Sequence, residues 1–253
     1  MRCCLRALAA AVALWACTTA TAAVAATPAE RFHEANELAR AGDYPAAIAV
    51  YDSLARSGRE SAALDWNWAQ AAAARGAQGE ALWALLRARE RDPADPAVAR
   101  EIDRLREGAN LDRAELSPDP LAAVARTGRQ FHLDLVACAL LLFSLAAHAI
   151  LKTRGAPRIG PLVWTSLALG LAVALVSVAG ALARPTGVIV RRGAPMIDAA
   201  SPTADVVGTL REGEVVPVIE ASGGYVRVED SSGVRGWALA GDVRALVGPR
   251  RGQ

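Results

Sequence analysis

Two stretches of the chain, residues 133–151 and 162–183, are almost entirely apolar over a length that soluble helices seldom need. A helix rises 1.5 Å per residue, so roughly 20 apolar residues cross the ~30 Å hydrocarbon core of a membrane. The segment 152–161 between them is short, basic and interrupted by Gly and Pro. This pattern predicts an antiparallel transmembrane hairpin whose loop is cytoplasmic, because basic residues favour that side.

The first 26 residues have the order of a secretory signal peptide: Arg2 and Arg6, an apolar stretch, and a run of small residues. Cleavage is expected after residue 25 or 26. Cys17 raises the alternative of a lipoprotein signal, although the bulky Trp15 fits that recognition poorly. An exported start followed by two crossings places both flanking segments on the periplasmic side of a bacterial inner membrane.

Residues 27–110 carry apolar positions at helical spacing, and the spacing repeats. The sequence GDYPAAI at 42–48 returns as GAQGEAL at 76–82, so that Ala47 and Ala81 are 34 residues apart. Glycine allows a tight turn between helices, and alanine allows close helix approach. The segment resembles tetratricopeptide repeats, which implies an all-α solenoid domain. First helices are predicted over 29–41 and 62–75, with a capping helix over 96–107.

In such repeats the first helices line the concave surface. Trp66, Asn67 and Gln70 lie on that surface in the second repeat, and Asn36 is their counterpart in the first. An aromatic ring beside amides suits peptide binding, so these four are candidate protein-binding residues. The alternative is that Trp66 packs beneath the neighbouring repeat. Residues 111–132, with SPDP at 117–120, are expected to form an extended linker to the membrane.

Beyond residue 186 the pattern changes to short β-branched runs separated by turn residues. Strands are expected over 188–190, 206–210, 215–219, 225–228 and 236–239. Short strands at this spacing indicate a small all-β barrel over 187–247, followed by a tail over 248–253. Pro217 favours an edge position for its strand, because proline cannot donate a ladder hydrogen bond.

The sequences LREG at 210–213, GYVRV at 224–228 and GVRGW at 233–237 resemble bacterial SH3 (SH3b) domains. The departure from their usual form is Tyr225, where Trp is common. The resemblance implies binding to peptides or cell-wall peptides, with Tyr225 and Trp237 as the aromatic candidates. Arg227 and Arg235 are candidates for pairing with an acidic ligand. The alternative is that Trp237 belongs to the core.

The composition favours binding over catalysis. The chain has 53% hydrophobic residues and a net charge of +2, with basic residues scattered among acids, which is not a nucleic-acid footprint. Its four cysteines and three histidines show neither metal-ligand spacing nor a disulfide framework. It contains no GxSxG, HExxH or P-loop sequence. We therefore expect no enzymatic activity, no cofactor and no metal.

The order of these segments, signal peptide, repeats, membrane hairpin and SH3b module, is similar to the BatE-type proteins of bacterial aerotolerance operons. The resemblance implies partners among von Willebrand factor A-type Bat proteins in the same membrane, and indirectly a MoxR-like ATPase. The expected function is a non-enzymatic membrane-anchored scaffold that binds proteins through its repeats and SH3b module. The alternative is an envelope sensor or anchor in which the SH3b module binds peptidoglycan.

Overall fold

The structure is a computed structural model that describes residues 26–116, 131–154, 160–179 and 184–246, together with isolated positions between 121 and 130. The predicted signal peptide, the loop between the two apolar helices and the tail lie outside these residues, apart from a few at their ends. The cleavage site and the lipidation of Cys17 are therefore sequence predictions.

Five helices form the first part of the described chain. They are α1 (Pro28–Arg40), α2 (Tyr44–Arg56), α3 (Ala62–Ala74), α4 (Gln78–Arg91) and α5 (Pro96–Gly108). Side-chain caps start four of them, including a reciprocal pair between Thr27 and Glu30 at α1. Gly42 and Gly76 adopt left-handed backbone in the α1–α2 and α3–α4 turns, at φ of 83° and 82°. The predicted helical character of this region is confirmed.

The core of this helical domain is built from alanines and large rings. Ala47 and Ala81, the two positions at the 34-residue period, are both fully buried, as are Tyr51 and Trp68. Helix α4 is the central element, since each of its residues from Gly79 to Ala88 is buried. A helix of this kind needs cover on every side.

Residues 111–116 differ from the extended linker predicted over 111–132. Arg113–Leu116 form a 3₁₀ turn, and Leu111 and Leu116 are buried in the same core as the helices. Arg106 holds the segment by donating to the Leu111 carbonyl at 2.9 Å. The helical domain therefore includes these six residues. The described positions between 121 and 130 are helical, so they are not extended either.

Two apolar helices, α6 (Leu133–Arg154) and α7 (Gly160–Ala179), follow and pack against each other. Ser144 donates to the Val163 carbonyl at 3.0 Å, and Gly170 lies against Leu140 and Leu141, so the helices are antiparallel. Within the described residues, one helix is long and apolar enough to cross a membrane, over Leu133–Ile150; the apolar part of α7, Val163–Leu175, is shorter.

Apolar side chains on α6 and α7 point outward from the pair. Only 11% of the Leu133–Ile150 window is buried. The most exposed of these side chains are Leu135, Leu142, Phe143, Leu145, Ile150, Trp164, Leu169, Leu171, Leu175 and Val178. An apolar surface of this extent is typical of lipid contact.

The last part is an antiparallel seven-stranded sheet, here called the β domain. Its strands are β1 (Thr186–Ile189), β2 (Ala194–Ile197), β3 (Val206–Leu210), β4 (Val215–Ser222), β5 (Tyr225–Glu229), β6 (Arg235–Leu239) and β7 (Val243–Ala245), in the order β3-β2-β6-β5-β4-β1-β7. Its core consists of Ile189, Ala194, Met196, Leu210, Val216, Val228 and Ala238. Five of these strands were predicted; β2 and β7 were not.

The prediction that Pro217 marks an edge strand is wrong, because β4 lies between β1 and β5. Val218 donates to the Pro185 carbonyl, and hydrogen-bonded and non-hydrogen-bonded pairs alternate along antiparallel strands. The next pair, Thr186 with Pro217, is therefore not hydrogen-bonded, and the Pro217 nitrogen points away from β1. Pairing with β5 begins only at Val218. The proline is tolerated because no ladder bond is required at its nitrogen.

The β domain is docked on the helical domain. Val188 and Val215 belong to the same apolar cluster as the buried residues of α4. Two glycines allow the close approach. A Cβ on Gly79 would lie 2.6 Å from the Ile189 carbonyl oxygen, and one on Gly213 would lie 2.5 Å from a methyl group of Leu82. The two domains therefore share one core along α4.

We predict that Gly79→Ala loosens this docking. Alanine favours an exposed helix by ~1 kcal/mol over glycine, yet here its methyl group would collide with β1 backbone atoms. Amide hydrogen exchange of the full chain in detergent should be at least about tenfold faster in β1, a loss of ~1.4 kcal/mol. Gly108→Ala is the control, since its Cβ would meet nothing within 4 Å. Unchanged exchange in β1 would show that the domains do not need this contact.

Candidate functional site

Arg244 of β7 contacts three side chains of the helical domain, which are Trp68, Trp83 and Glu80. Its guanidinium carbon lies 4.6 Å from the ring centre of Trp83 and 5.2 Å from that of Trp68. The two indoles meet edge to face at 4.9 Å. The Arg244 Nη1 also lies 3.2 Å from Glu80 Oε1, which accepts from Trp68 Nε1 at 3.1 Å. Cation–π and ionic attraction therefore act on one partly buried guanidinium.

Three further hydrogen bonds connect the domains through backbone groups. Arg211 Nη1 donates to the Asn110 carbonyl at 3.3 Å. Trp83 Nε1 donates to the Ala245 carbonyl at 2.9 Å. Gly79 N–H donates to Glu212 Oε1 at 2.8 Å, at the start of a helix whose preceding residue, Ala77, provides no side-chain cap. Glu212 therefore acts as the cap of α4 from the other domain, where a carboxylate is also favoured by the helix dipole.

A buried carboxylate lies beside this contact. Asp65 of α3 is fully buried and forms ion pairs with Arg87 and Arg91 of α4, and both arginines also pair with Glu60. Burial raises the pKa of Asp65 to about 6, although the two guanidinium groups act in the opposite direction. Burial also lowers the pKa of Arg87, whose guanidinium carbon is 4.5 Å from the centre of the Trp83 ring.

The four predicted residues of the concave surface occupy different environments. Asn36 Oδ1 accepts from Tyr51 Oη at 2.7 Å and from Asn67 Nδ2 at 2.9 Å. Trp66 is partly buried and packs against the helical core. Gln70 is exposed. The two asparagines thus join α1, α2 and α3 to one another, and Gln70 is the most accessible of the four.

The four predicted residues of the β domain share one outward face of β5 and β6. Arg227 lies directly opposite Trp237, and the Glu229 side chain pairs with Arg235 at 2.9 Å. Tyr225 lies opposite Leu239 on the same face, because alternate residues of a strand point the same way. We call this surface the outer face. Trp237 is outside the core, whose neighbouring member is Ala238.

Arg244, Trp83 and Glu212 are not among the functional residues predicted from the sequence. Each looks ordinary in its own segment, as a charged or aromatic residue in a helix, turn or strand. Their partners lie far along the chain, such as the 162 residues between Trp83 and Ala245. Over the described ranges, no group of three or more His, Cys, Asp or Glu side chains is arranged to hold a metal ion.

Comparison with known families identifies the β domain. Residues 186–244 match the bacterial SH3 domain family. This segment is a bacterial SH3 domain. Neither the search of curated proteins nor the search of solved structures found a match to the chain. The family match covers nearly the whole β domain. The outer face and the strands that contact the helical domain therefore belong to one SH3 domain.

We predict that Asp65→Asn changes the pH dependence of stability. With a folded pKa of about 6 against an unfolded value near 3.8, the folded protein binds the proton more tightly. The Asp65 contribution to the free energy of unfolding therefore decreases as pH rises from about 4 to about 6. The wild type minus variant difference should change by up to about 3 kcal/mol across this range, measured by urea titration with Trp fluorescence.

Asp103→Asn is the matched control, because it also removes a carboxylate that pairs with arginine but is half exposed. Comparison of the two variants separates the effect of burying a carboxylate from the effect of losing any carboxylate that pairs with arginine. A wild type minus Asp65→Asn difference that increases with pH would contradict the desolvation argument.

Proposed function

We propose that the chain is a membrane-anchored, non-enzymatic binding protein of the bacterial cell envelope, whose SH3 domain binds cell-wall peptide through its outer face. The observation that carries this proposal is the division of the SH3 domain into two surfaces. Strand β1, the β3–β4 turn and β7 contact the helical domain, whereas β5 and β6 present their aromatic and cationic side chains outward.

The outer face has the chemistry of a peptide-binding surface. Register places Ile197 opposite Trp237, Trp237 opposite Arg227, and Arg227 opposite Glu220, so that one row crosses four strands. The rings of Tyr225 and Trp237 offer apolar contact at low entropic cost, and Arg227 offers a charge for acidic groups. Bacterial SH3 domains are associated with cell-wall binding, which favours peptidoglycan peptide as the ligand.

The docking of the two domains supports the transmembrane hairpin. Helix α4 contacts β1 directly, so the helical domain and the SH3 domain lie on the same side of any membrane. The segment between them must then cross an even number of times. With α6 long enough to cross, α7 is the segment available for the return. A signal peptide at the start would put both domains in the periplasm.

A scaffold for envelope proteins is the second candidate. Only six residues separate the end of α7 from β1, which holds the SH3 domain near the membrane surface and favours a membrane-protein partner. The paired helices with a 34-residue period support a tetratricopeptide assignment for the helical domain. By resemblance to BatE-type proteins, the partners would be von Willebrand factor A-type Bat proteins.

We predict that the full chain in detergent sediments with purified peptidoglycan and that Trp237→Ala or Tyr225→Ala weakens this binding by roughly 1–3 kcal/mol, since each removes ring contact. Both residues lie outside the SH3 core, so circular dichroism should be unchanged. Val234→Ala is the matched control, as an exposed apolar residue of the β5–β6 turn.

The outcomes distinguish the two candidates. Saturable binding that is equal in all variants would contradict the outer face as the site. If the wild type fails to sediment but captures a von Willebrand factor A-type protein in a pull-down that Trp237→Ala weakens, the scaffold function replaces cell-wall binding.

Topology gives a separate prediction. Alkaline phosphatase fused after residue 110 or after residue 248 should be active, and fusion after residue 155 should be inactive, because the enzyme folds only outside the cytoplasm. The measurement is phosphatase activity per fusion protein in whole cells. Activity after residue 155 would contradict the hairpin, and inactivity after residue 248 would contradict an even number of crossings.

A further inference from the structure

A cleft of about 390 Å³ lies at the junction of the two domains. The helical domain and the SH3 domain each supply part of its wall, so it exists only while they are docked. Its size falls within the range of small-molecule and short-peptide sites. The residues that line it are Asp52, Ala55, Arg56, Glu60, Trp83, Arg87, Val243, Arg244 and Ala245.

Three arginines supply most of the groups in the cleft that could bind a ligand. Arg56 comes from the last turn of α2, Arg87 from the middle of α4 and Arg244 from β7, so that three separate elements bring a guanidinium group to one place. A guanidinium is a planar fork with five N–H donors, which suits a carboxylate. Only two acidic residues, Asp52 and Glu60, line the same space.

Two of these arginines are able to accept a further anion. Arg56 has a 76% exposed side chain and pairs with Asp52 one turn earlier in its own helix, an arrangement that contributes little stability. Arg244 contacts Glu80 through Nη1, and its ring contacts fix the position of the guanidinium. Arg87 is less available to a ligand, because its side chain is only 8% exposed and forms ion pairs with Glu60 and Asp65.

The backbone of β7 adds a second recognition element. Val190 donates to the Asp242 carbonyl and Leu246 donates to the Thr186 carbonyl, so every second residue of β7 pairs with β1. The N–H and C=O groups of Val243 and Ala245 therefore point away from β1, on the side of the cleft. The Ala245 carbonyl accepts from Trp83, and the Val243 N–H closes the 3₁₀ turn over Ala240–Asp242, so the Val243 carbonyl is the group that an added peptide would use. An extended peptide uses such an edge for main-chain hydrogen bonds.

We propose that this interdomain cleft binds a short peptide by its free carboxylate, which Arg56 and Arg244 hold, while the peptide backbone runs along β7 at Val243. The site is separate from the outer face and does not depend on the function proposed for it. It requires the docked arrangement, because Arg56 and Arg244 belong to different domains.

The test uses tetra-alanine with an N-terminal dye, prepared as the free acid and as the C-terminal amide. Fluorescence polarisation with the full chain in detergent should show saturable binding of the acid and at least tenfold weaker binding of the amide. Equal binding of the two peptides, or no binding of the acid at millimolar protein, would overturn the proposal.

Variants then locate the site. Arg56→Gln should weaken binding of the acid at least fivefold, and Arg40→Gln is its matched control, an exposed arginine that also pairs with an acid in the last turn of its helix. Gly79→Ala should weaken binding, because its methyl group would push the SH3 domain away from α4 and move the walls of the cleft apart. Val234→Ala, an exposed residue outside the cleft and the outer face, should leave it unchanged. Full binding by Arg56→Gln, or equal loss in Arg40→Gln, would place the peptide elsewhere.

Discussion

The docking of the SH3 domain on α4 is centred on the guanidinium of Arg244, which two indole rings and Glu80 hold beside the shared apolar core. A charge at such a position needs compensation for the water it loses, and the rings and the carboxylate supply it. With Arg244 in place, the SH3 domain covers the side of α4 that the other helices leave open. Every residue of α4 from Gly79 to Ala88 is buried as a result.

The local part of this architecture could be predicted from sequence. Helical spacing predicts α1, α3 and α5 within two residues at each end, and β-branched runs predict five of the seven strands. The two strands that escaped prediction, APMI in β2 and VRA in β7, are short and contain little β-branched sequence. They become strands because neighbouring strands in the sheet form hydrogen bonds with them. That pairing depends on the tertiary structure, which local sequence does not reveal. The packing of residues 111–116 on the helical core likewise depends on contacts between segments that are distant in the sequence.

The candidate sites show the same limit. Alternation along a strand is sufficient to place Tyr225 with Arg227, and Arg235 with Trp237, on common faces. Helical spacing also brings Asn67 to the side of α3 that faces α1. It does not reveal that Asn36 accepts its hydrogen bond together with that of Tyr51. The interdomain cleft could not be anticipated at all, since its arginines come from segments that nothing in the sequence connects.

The position of β7 in the chain has a consequence for biogenesis. Trp83 and Ala245 are 162 residues apart, so α4 leaves the ribosome long before its cover is made. During that interval two tryptophans and Glu80 lack the strand that buries them. Closure of such a distant contact is slow compared with the formation of helical hairpins. The interface therefore forms only after both apolar helices have been made, and a chain that lacks it exposes the surface that chaperones and proteases recognise.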